Sequence, residues 1–348
     1  MSTKFLEGYD YLPVGNDAAF NEMVVADGYW GHWTGYGQGI GLATGRFGLG
    51  RCLVLGDPPG GVFASRPLNW VFNDGFVWGI AILQPPGTQG PTITLRDSQA
   101  EVEIFRIEFP GAGAAGILRF ISSFGTTRTR TGTVKANTWF YMQIKYVGNT
   151  FQVKINGDVV INLTSIASCP SFDSMALGNA YAQGALFLDD IYMNDPVDGA
   201  TNHDYLGNIV VRAQTAIAAG DLTQLTANGA SFNWQIAGNN VLDVTKYNYT
   251  PDVGDADLYQ MNPNVAARDV LALQLKGFYM QDDGVQLFGQ NQLKTGGTVY
   301  GGSPLGLNQT NYGSITDYWD RNPDTGDFWT TAELNAPIQA GPKLQASD

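Results

Sequence analysis

The nearest approach to a catalytic carboxylate pair lies in residues 101–108. A glycoside hydrolase needs two carboxyl groups, and in retaining enzymes they stand roughly 5 Å apart, which a Glu-x-Asp-x-x-Glu spacing on one strand can provide. Glu101 and Glu103 have the start of that spacing, but Arg106 stands where the last carboxylate belongs, and Glu108 is out of step. Arginine cannot donate a proton near neutral pH. We therefore expect the polar face of a strand here, and no enzyme activity.

Residues for nucleophilic catalysis or zinc binding are scarce. The sequence has two histidines, His32 and His203, and two cysteines, Cys52 and Cys169. Neither histidine accompanies a Gly-x-Ser-x-Gly elbow, and the cysteines form no Cys-x-x-Cys pair. We expect no catalytic triad, no zinc site and no disulfide framework.

Two aspartate clusters are candidates for calcium, because hard carboxylate oxygens suit that ion. The preferred cluster consists of Asp189, Asp190 and Asp195. The second lies in residues 251–257 and contains Asp252, Asp255 and Asp257. Neither has the spacing of an EF-hand, and the second is also typical of a turn with Asx capping. No other cofactor is predicted.

A run of glycine and aromatic residues between Gly28 and Gly41 is the candidate binding loop. Its Trp30, Trp33 and Tyr36 could stack against sugar rings. In β proteins such runs also fill the rim of a core, where glycine lets two backbones approach closely. Both interpretations are open at the level of sequence.

Short strands have to position these residues. The 44 glycines and 16 prolines interrupt the chain too often for long helices. Apolar and polar residues alternate from Phe151 to Ile155, and Asn156-Gly157 supplies the positive φ angles of a two-residue type I′ turn. A hairpin is predicted there, with the strand that starts at Trp139 beside it.

A second hairpin is predicted in the C-terminal part of the chain. Residues 270–280 and 285–288 are rich in apolar residues, and Asp283-Gly284 stands between them. A helix over residues 265–280 is the alternative, since the alanines and leucines there tolerate one.

The length of the chain favours two domains. With 348 residues it exceeds the usual size of a single core. The turn-rich stretch 194–202 contains a proline and a glycine and reads as a connection. We expect domains at 1–203 and 204–348.

The charge of the chain restricts its partners. The formal net charge is -13, which repels phosphate backbones and anionic lipid headgroups. The nearest candidate for a basic patch consists of Arg119, Arg128 and Arg130. We interpret these arginines as part of a solvated strand face rather than as an anion-binding site. There is also no uninterrupted run of about 18 apolar residues. Neither a nucleic acid nor a membrane is expected as a partner.

Four local features follow each other in a specific order. They are Gly45-Arg46-Phe47-Gly48, Trp139 at the start of a strand, the Asn156-Gly157 turn and the closing run Leu188–Asp195. Together with Asn202–Gly207 they resemble the laminin-G/concanavalin A-like sandwich domains of phage and prophage virion proteins. In that family a β-rich second portion often ends in a strand like Trp329–Ala336.

The resemblance implies an all-β chain, a concanavalin A/laminin-G-like jelly-roll sandwich followed by a second β-rich, sandwich-like domain. It further implies a phage virion structural component (tail, fibre, neck or capsid decoration) that contacts other virion proteins and copies of itself and is assembled in the host cytoplasm. The alternative function is a lectin-like adhesin that binds a host-surface glycan, and a glycoside hydrolase comes third. Fold alone does not decide among them.

Overall fold

The structure is a computed structural model. It describes residues 3–10, 30–31, 40–48, 50–55, 62–73, 75–86, 89–97, 102–108, 116–122, 127–183, 185–196, 204–239, 243, 245–263, 269–282, 286–307 and 312–346. The residues that the structure describes divide into two compact units, the first comprising those up to Arg212 and the second those from Ala213 onward. The division therefore lies after Arg212 rather than after residue 203.

The first unit is a sandwich of two antiparallel sheets. Its strands are β1 (Thr3–Glu7), β2 (Trp30–Gly31), β3 (Ile40–Thr44), β4 (Arg51–Leu55), β5 (Val62–Phe72), β6 (Gly75–Leu83), β7 (Gln89–Asp97), β8 (Val102–Glu108), β9 (Gly116–Ser122), β10 (Thr127–Val134), β11 (Phe140–Val147), β12 (Thr150–Ile155), β13 (Asp158–Leu163), β14 (Phe172–Gln183) and β15 (Leu186–Asn194). The front sheet has the order β13-β12-β11-β6-β15-β4-β3, with β1 also beside β15. The back sheet has the order β10-β9-β8-β7-β14-β5-β2.

Aromatic side chains fill the space between these two sheets. The rings of Phe76 in the front sheet and Phe172 in the back sheet meet edge to face, with centroids 5.1 Å apart. Phe105 and Phe151 also meet across the two sheets, with ring centroids 5.3 Å apart and the rings tilted by 55°. Each fully buried ring of this kind contributes about 1.5–3 kcal/mol of hydrophobic free energy. The predicted all-β, jelly-roll-type sandwich is confirmed.

The Asn156-Gly157 hairpin is confirmed in detail. Ile155 pairs with Asp158, so the turn has two residues. Asn156 has φ 51 and Gly157 has φ 93, both positive as a type I′ turn requires. The predicted neighbour, β11, pairs with β12 along its length.

The second unit is also β-rich, as expected. Its strands are β16 (Ala216–Thr223), β17 (Thr226–Asn228), β18 (Tyr247–Tyr249), β19 (Asp257–Met261), β20 (Leu273–Tyr279), β21 (Leu287–Thr295), β22 (Thr298–Gly301), β23 (Leu305–Gly306), β24 (Gly313–Trp319) and β25 (Gln339–Ala346), and its helices are α1 (Asn233–Ala237) and α2 (Thr331–Asn335). One sheet has the order β16-β19-β25-β21-β22 with β23 beside β21, while β17-β18 and β20-β24 are separate pairs. Leu293, Trp329, Leu334 and Ile338 form its apolar core. None of the described helices is long and apolar enough to span a membrane.

The second predicted hairpin is wrong. The strand β20 pairs with β24, whereas β21 pairs with β22, β23 and β25 in another sheet. The side chain of Asn291 in β21 donates to the carbonyl of Ile315 at 2.9 Å, and Tyr279 donates to Asn291 Oδ1 at 2.6 Å. These side-chain bonds join the two sheets, so the strands on either side of the expected Asp283-Gly284 turn stack on each other instead of pairing edge to edge. The helical alternative is wrong as well.

The strand expected from the family resemblance at residues 329–336 is instead the short helix α2. Thr330 and Glu333 form a capping box: Glu333 N donates to Thr330 Oγ1 at 3.2 Å, and Thr330 N donates to Glu333 Oε2 at 2.7 Å. Such reciprocal bonds satisfy backbone donors at the start of a helix, which favours helix over strand.

Candidate functional site

A β-bulge aligns charged residues on the outward face of the back sheet. Leu95 pairs with Phe105 and Arg96 pairs with Glu103, so Ile104 is the extra residue of β8. Ile104 and Phe105 are both buried. A bulge shifts by one residue the alternation of side chains between the two faces of a strand. Glu103 therefore lies on the same face as Arg106 and Glu108.

Four charged side chains form a connected chain there, which we call the Glu–Arg ladder: Glu103, Arg106, Glu108 and Arg119. Arg106 Nε lies 3.0 Å from Glu108 Oε1 and 3.4 Å from Glu103 Oε1. Arg119 Nη1 on the neighbouring strand lies 3.2 Å from Glu108 Oε2. The side chains of Arg106 and Arg119 are 35% and 41% exposed, so the ladder is open to solvent along part of its length.

Backbone register continues from the ladder across the back sheet. Arg106 pairs with Thr94, Thr94 with Ala176, Ala176 with Ser65, and Ser65 with Trp30. Four strand steps of about 4.8 Å separate the two ends of this row by roughly 19 Å. Thr94 and Ala176 are nearly fully buried, whereas Arg106 at one end of the row is partly exposed.

The predicted glycan-binding residues are placed only in part. Trp30 lies in the two-residue edge strand β2, at the far end of the row from the ladder. Trp33 and Tyr36 lie outside the described residues, as do His32 and His203. The ladder residues themselves were not predicted as a site, because strand alternation shows neither the bulge at Ile104 nor that Arg119 lies beside Glu108.

Asp189 and Asp190, predicted as calcium ligands, are bound by protein donors instead. Asp189 Oδ2 accepts from Arg46 N, and Asp190 Oδ1 accepts from Val211 N, both at 2.8 Å. Arg46 Nε lies 3.1 Å from Asp190 Oδ2, with both side chains almost completely buried. The guanidinium of Arg46 therefore supplies the positive charge that the calcium hypothesis assigned to a metal. Asp195 follows the end of β15, and among the described residues no three His, Cys, Asp or Glu side chains are grouped to hold a metal.

This network fastens residues 204–212 to the first unit. Besides the Val211 bond, Arg46 Nη2 donates to Ile209 O at 2.7 Å, and Leu206 N donates to Tyr192 Oη at 3.1 Å. Burial, followed by the charge of Asp190, raises the pKa of Asp189 to about 7. Burial also raises the pKa of Asp190, against the opposing effect of the Val211 hydrogen bond. The pair thus works as a structural anchor.

The second aspartate cluster is also built into hydrogen bonds. Asp257 is fully buried and its Oδ1 accepts from Gln224 N at 2.7 Å. Asp255 Oδ2 accepts from Thr250 Oγ1 at 2.6 Å, and Asp252 N donates to the same hydroxyl at 3.0 Å. The Thr250 hydroxyl thus accepts from the backbone two residues on, as in a turn capped by threonine, and Asp255 accepts from that hydroxyl.

Comparison with known proteins gives fold likeness only. No family model matches the chain, and no curated protein matches it. A sialidase resembles 57% of this chain at 11% identity and TM-score 0.41, and the chain spans only 19% of that protein's length. The galectin LEC-6 of Caenorhabditis elegans covers 40% of this chain and 94% of its own, at 11% identity and TM-score 0.30. The carbohydrate-binding module CBM66 from Bacillus subtilis covers 47% and 94%, at 10% identity and TM-score 0.33. These values assign neither a family nor a ligand.

Proposed function

We propose that the chain is a carbohydrate-binding, lectin-like module whose first unit contacts a glycan through the Glu–Arg ladder. The observation that carries the proposal is the partly exposed chain Glu103–Arg106–Glu108–Arg119 on one sheet face. Its acceptors and donors alternate along the face. The earlier alternative function therefore becomes the leading one.

The chemistry of the ladder suits sugar hydroxyls. A hydroxyl group is both a donor and an acceptor, so neighbouring hydroxyls on a sugar ring can bind an arginine and a glutamate side by side. Hydrogen bonds to charged groups are shorter and stronger than those between neutral groups. Because Arg106 Nε lies within ion-pair distance of two carboxylates, its guanidinium is restrained before a ligand arrives, which lowers the entropy lost on binding.

The same geometry favours binding over hydrolysis. The two carboxylates that flank Arg106, those of Glu103 and Glu108, each lie within ion-pair distance of its guanidinium. Arg106 stands where the hydrolase spacing requires the second carboxylate, and an arginine cannot donate a proton near neutral pH. We propose that the chain is not an enzyme; release of reducing ends from a bound polysaccharide would show the opposite.

The first experiment is a glycan array with the whole chain, followed by titration calorimetry with the best ligand. Arg106→Met removes the guanidinium and keeps most of the apolar stem. We expect the Kd of this variant for the glycan to rise on the order of tenfold or more, because a hydrogen bond to a charged group is lost. Lys135→Met, a change at an exposed residue of the same unit, is the matched control and should bind like the wild type.

Two outcomes would remove the proposal. One is an array on which the folded wild type binds no glycan. The other is a glycan that binds Arg106→Met and the wild type equally well, which would place the contact elsewhere on the molecule.

We also propose, from the resemblance alone, that this module is part of a phage particle and contacts other virion proteins there. Mass spectrometry of purified particles would test it, because a chain found only free in an infected-cell lysate would contradict it. Light scattering after gel filtration would test the expected association of copies.

A further inference from the structure

Two tripeptides in the second unit share one pattern, an asparagine between two aromatic residues. They are Phe232-Asn233-Trp234, at the start of α1, and Tyr247-Asn248-Tyr249, which is the whole of β18. Asn248 Nδ2 donates to Asn233 O at 3.0 Å, so the two tripeptides lie side by side.

Both asparagines are fixed to the same buried carboxylate. Asn233 Nδ2 donates to Asp257 Oδ2 at 2.6 Å. Asn248 Nδ2 donates to Tyr259 Oη at 2.9 Å, and that hydroxyl donates to Asp257 Oδ2 at 2.8 Å. Asn233 and Asp257 are both buried. The polar centre of each tripeptide is therefore held rigidly, and its position is set by Asp257.

The flanking aromatic rings are exposed instead of buried. Phe232 is 58% exposed, Tyr249 49% and Tyr247 40%, and Trp234 is partly buried. The rings of Phe232 and Trp234 stack at 6.4 Å with an angle of 15° between their planes, and those of Tyr247 and Tyr249 meet at 6.1 Å. Large rings normally contribute most when buried, so two exposed ring pairs beside one hydrogen-bonded centre are a candidate binding surface. We call these four residues the aromatic platform.

The surroundings of the platform identify the kind of ligand. One charged pair adjoins the platform in the sequence, with Lys246 Nζ 3.1 Å from Asp243 Oδ2. With a formal net charge of -13 on the chain, a phosphate backbone would be repelled. Apolar ring faces together with tyrosine hydroxyls match a ligand that has both an apolar face and hydroxyl groups. A saccharide ring has this combination: C–H groups on its face and hydroxyls around its edge.

We propose that the aromatic platform of the second unit is a second carbohydrate-binding surface, which takes a neutral oligosaccharide by stacking. It goes beyond the ladder of the first unit and does not depend on it, because the two surfaces use different residues in different units. The asparagine anchors keep the rings in place before binding, which reduces the entropy lost when the ligand arrives.

The test uses the whole chain and a panel of neutral oligosaccharides, namely hexamers of β-1,3-glucose, β-1,4-glucose, mannose and N-acetylglucosamine, measured by titration calorimetry. For a ligand of the wild type, Phe232→Ser and Tyr249→Ser should each weaken binding on the order of tenfold, as expected for loss of a stacked ring. Tyr249→Phe keeps the ring and should retain most of the affinity. Phe328→Ser removes an equally exposed ring elsewhere in the second unit and should change nothing.

The outcomes separate this proposal from the previous one. Binding that survives Arg106→Met but is lost in Phe232→Ser and Tyr249→Ser supports the aromatic platform. Binding that is lost only in Arg106→Met overturns the platform and leaves the ladder. The platform is also overturned if no neutral hexamer binds, or if only an anionic glycan or a protein does, while thermal unfolding shows that the variants are folded.

Discussion

Asp189 and Asp190 are adjacent in β15, and their carboxylates meet Arg46 from another part of the chain. Asp190 has φ 49, a left-handed backbone conformation that is uncommon outside glycine, asparagine and aspartate. That conformation lets its side chain and that of Asp189 lie in the same buried network. Their carboxylates thereby hold residues 209–211 in place.

The pH dependence of stability gives a test at the scale of one residue. The pKa of Asp189 is about 7 in the folded chain and near its usual 3.8 when unfolded. Between these values the folded state binds a proton that the unfolded state has lost, so stability falls as pH rises, by up to about 1.4 kcal/mol per pH unit.

We expect Asp189→Asn to flatten this dependence, because asparagine cannot take up the proton. It should also lower stability at acidic pH, since one acceptor for the N–H groups of Arg46 and Asp190 is lost. Urea unfolding at several pH values from 4 to 8 measures both effects. Asp158→Asn, at an exposed position, is the control, and an unchanged slope in Asp189→Asn would contradict the assignment.

Two glycines of the first unit, one in a turn and one at the start of a strand, test how its elements are joined. Gly157 has φ +93 in the β12–β13 turn, and an added Cβ there meets nothing within 4 Å. Gly75 has φ +136 at the start of β6, and a Cβ there would lie 2.1 Å from the carbonyl oxygen of Tyr146 in the adjacent strand. Glycine is needed at position 157 only for its positive φ angle. At position 75 it is needed also because there is no space for a side chain.

We therefore expect Gly157→Ala to lower the free energy of unfolding by about 1–2 kcal/mol, from backbone strain alone. Gly75→Ala should cost clearly more, because β11 must also move away from β6. Thermal or urea unfolding of the two variants gives the comparison directly. Equal losses would mean that the close approach of these two strands is not required for the fold.

At the scale of the whole molecule, each unit has buried apolar residues of its own. Trp78 and Phe76 lie in the buried centre of the first unit, whereas Leu293, Trp329 and Leu334 belong to that of the second. Units with their own cores often unfold separately, and then a single melting temperature does not describe the chain.

We expect scanning calorimetry to show two transitions that respond to different substitutions. Ile80→Ala should lower the transition of the first unit and Leu334→Ala that of the second, each by a cavity cost of about 2–5 kcal/mol in its own unit. A single transition that both variants shift equally would show that the two cores unfold together. The same scans identify which unit a glycan stabilises, since a ligand raises the transition of the unit that binds it.

The sequence by itself determined the β class, the Asn156-Gly157 hairpin and the aspartate-rich closing strand of the first unit. Two-residue alternation and the conformational demands of a tight turn are local, and local residues specify them. Thr330 and Glu333 have the spacing of a capping box, which is also a local signal and predicts a helix. The family resemblance predicted a strand at the same residues, and that prediction was wrong.

Tertiary structure alone decided which strands pair and which side chains meet. Alternation reports the two faces of a strand but not its partner, so β20 and β21 were expected to pair across Asp283-Gly284 although they lie in different sheets. Arg46 and Asp189 are 143 residues apart in sequence, and the alignment of Glu103 with Arg106 depends on the bulge against β7. Contacts of this kind arise when distant segments pack together, and their energies depend on burial and register, which no short window of sequence contains.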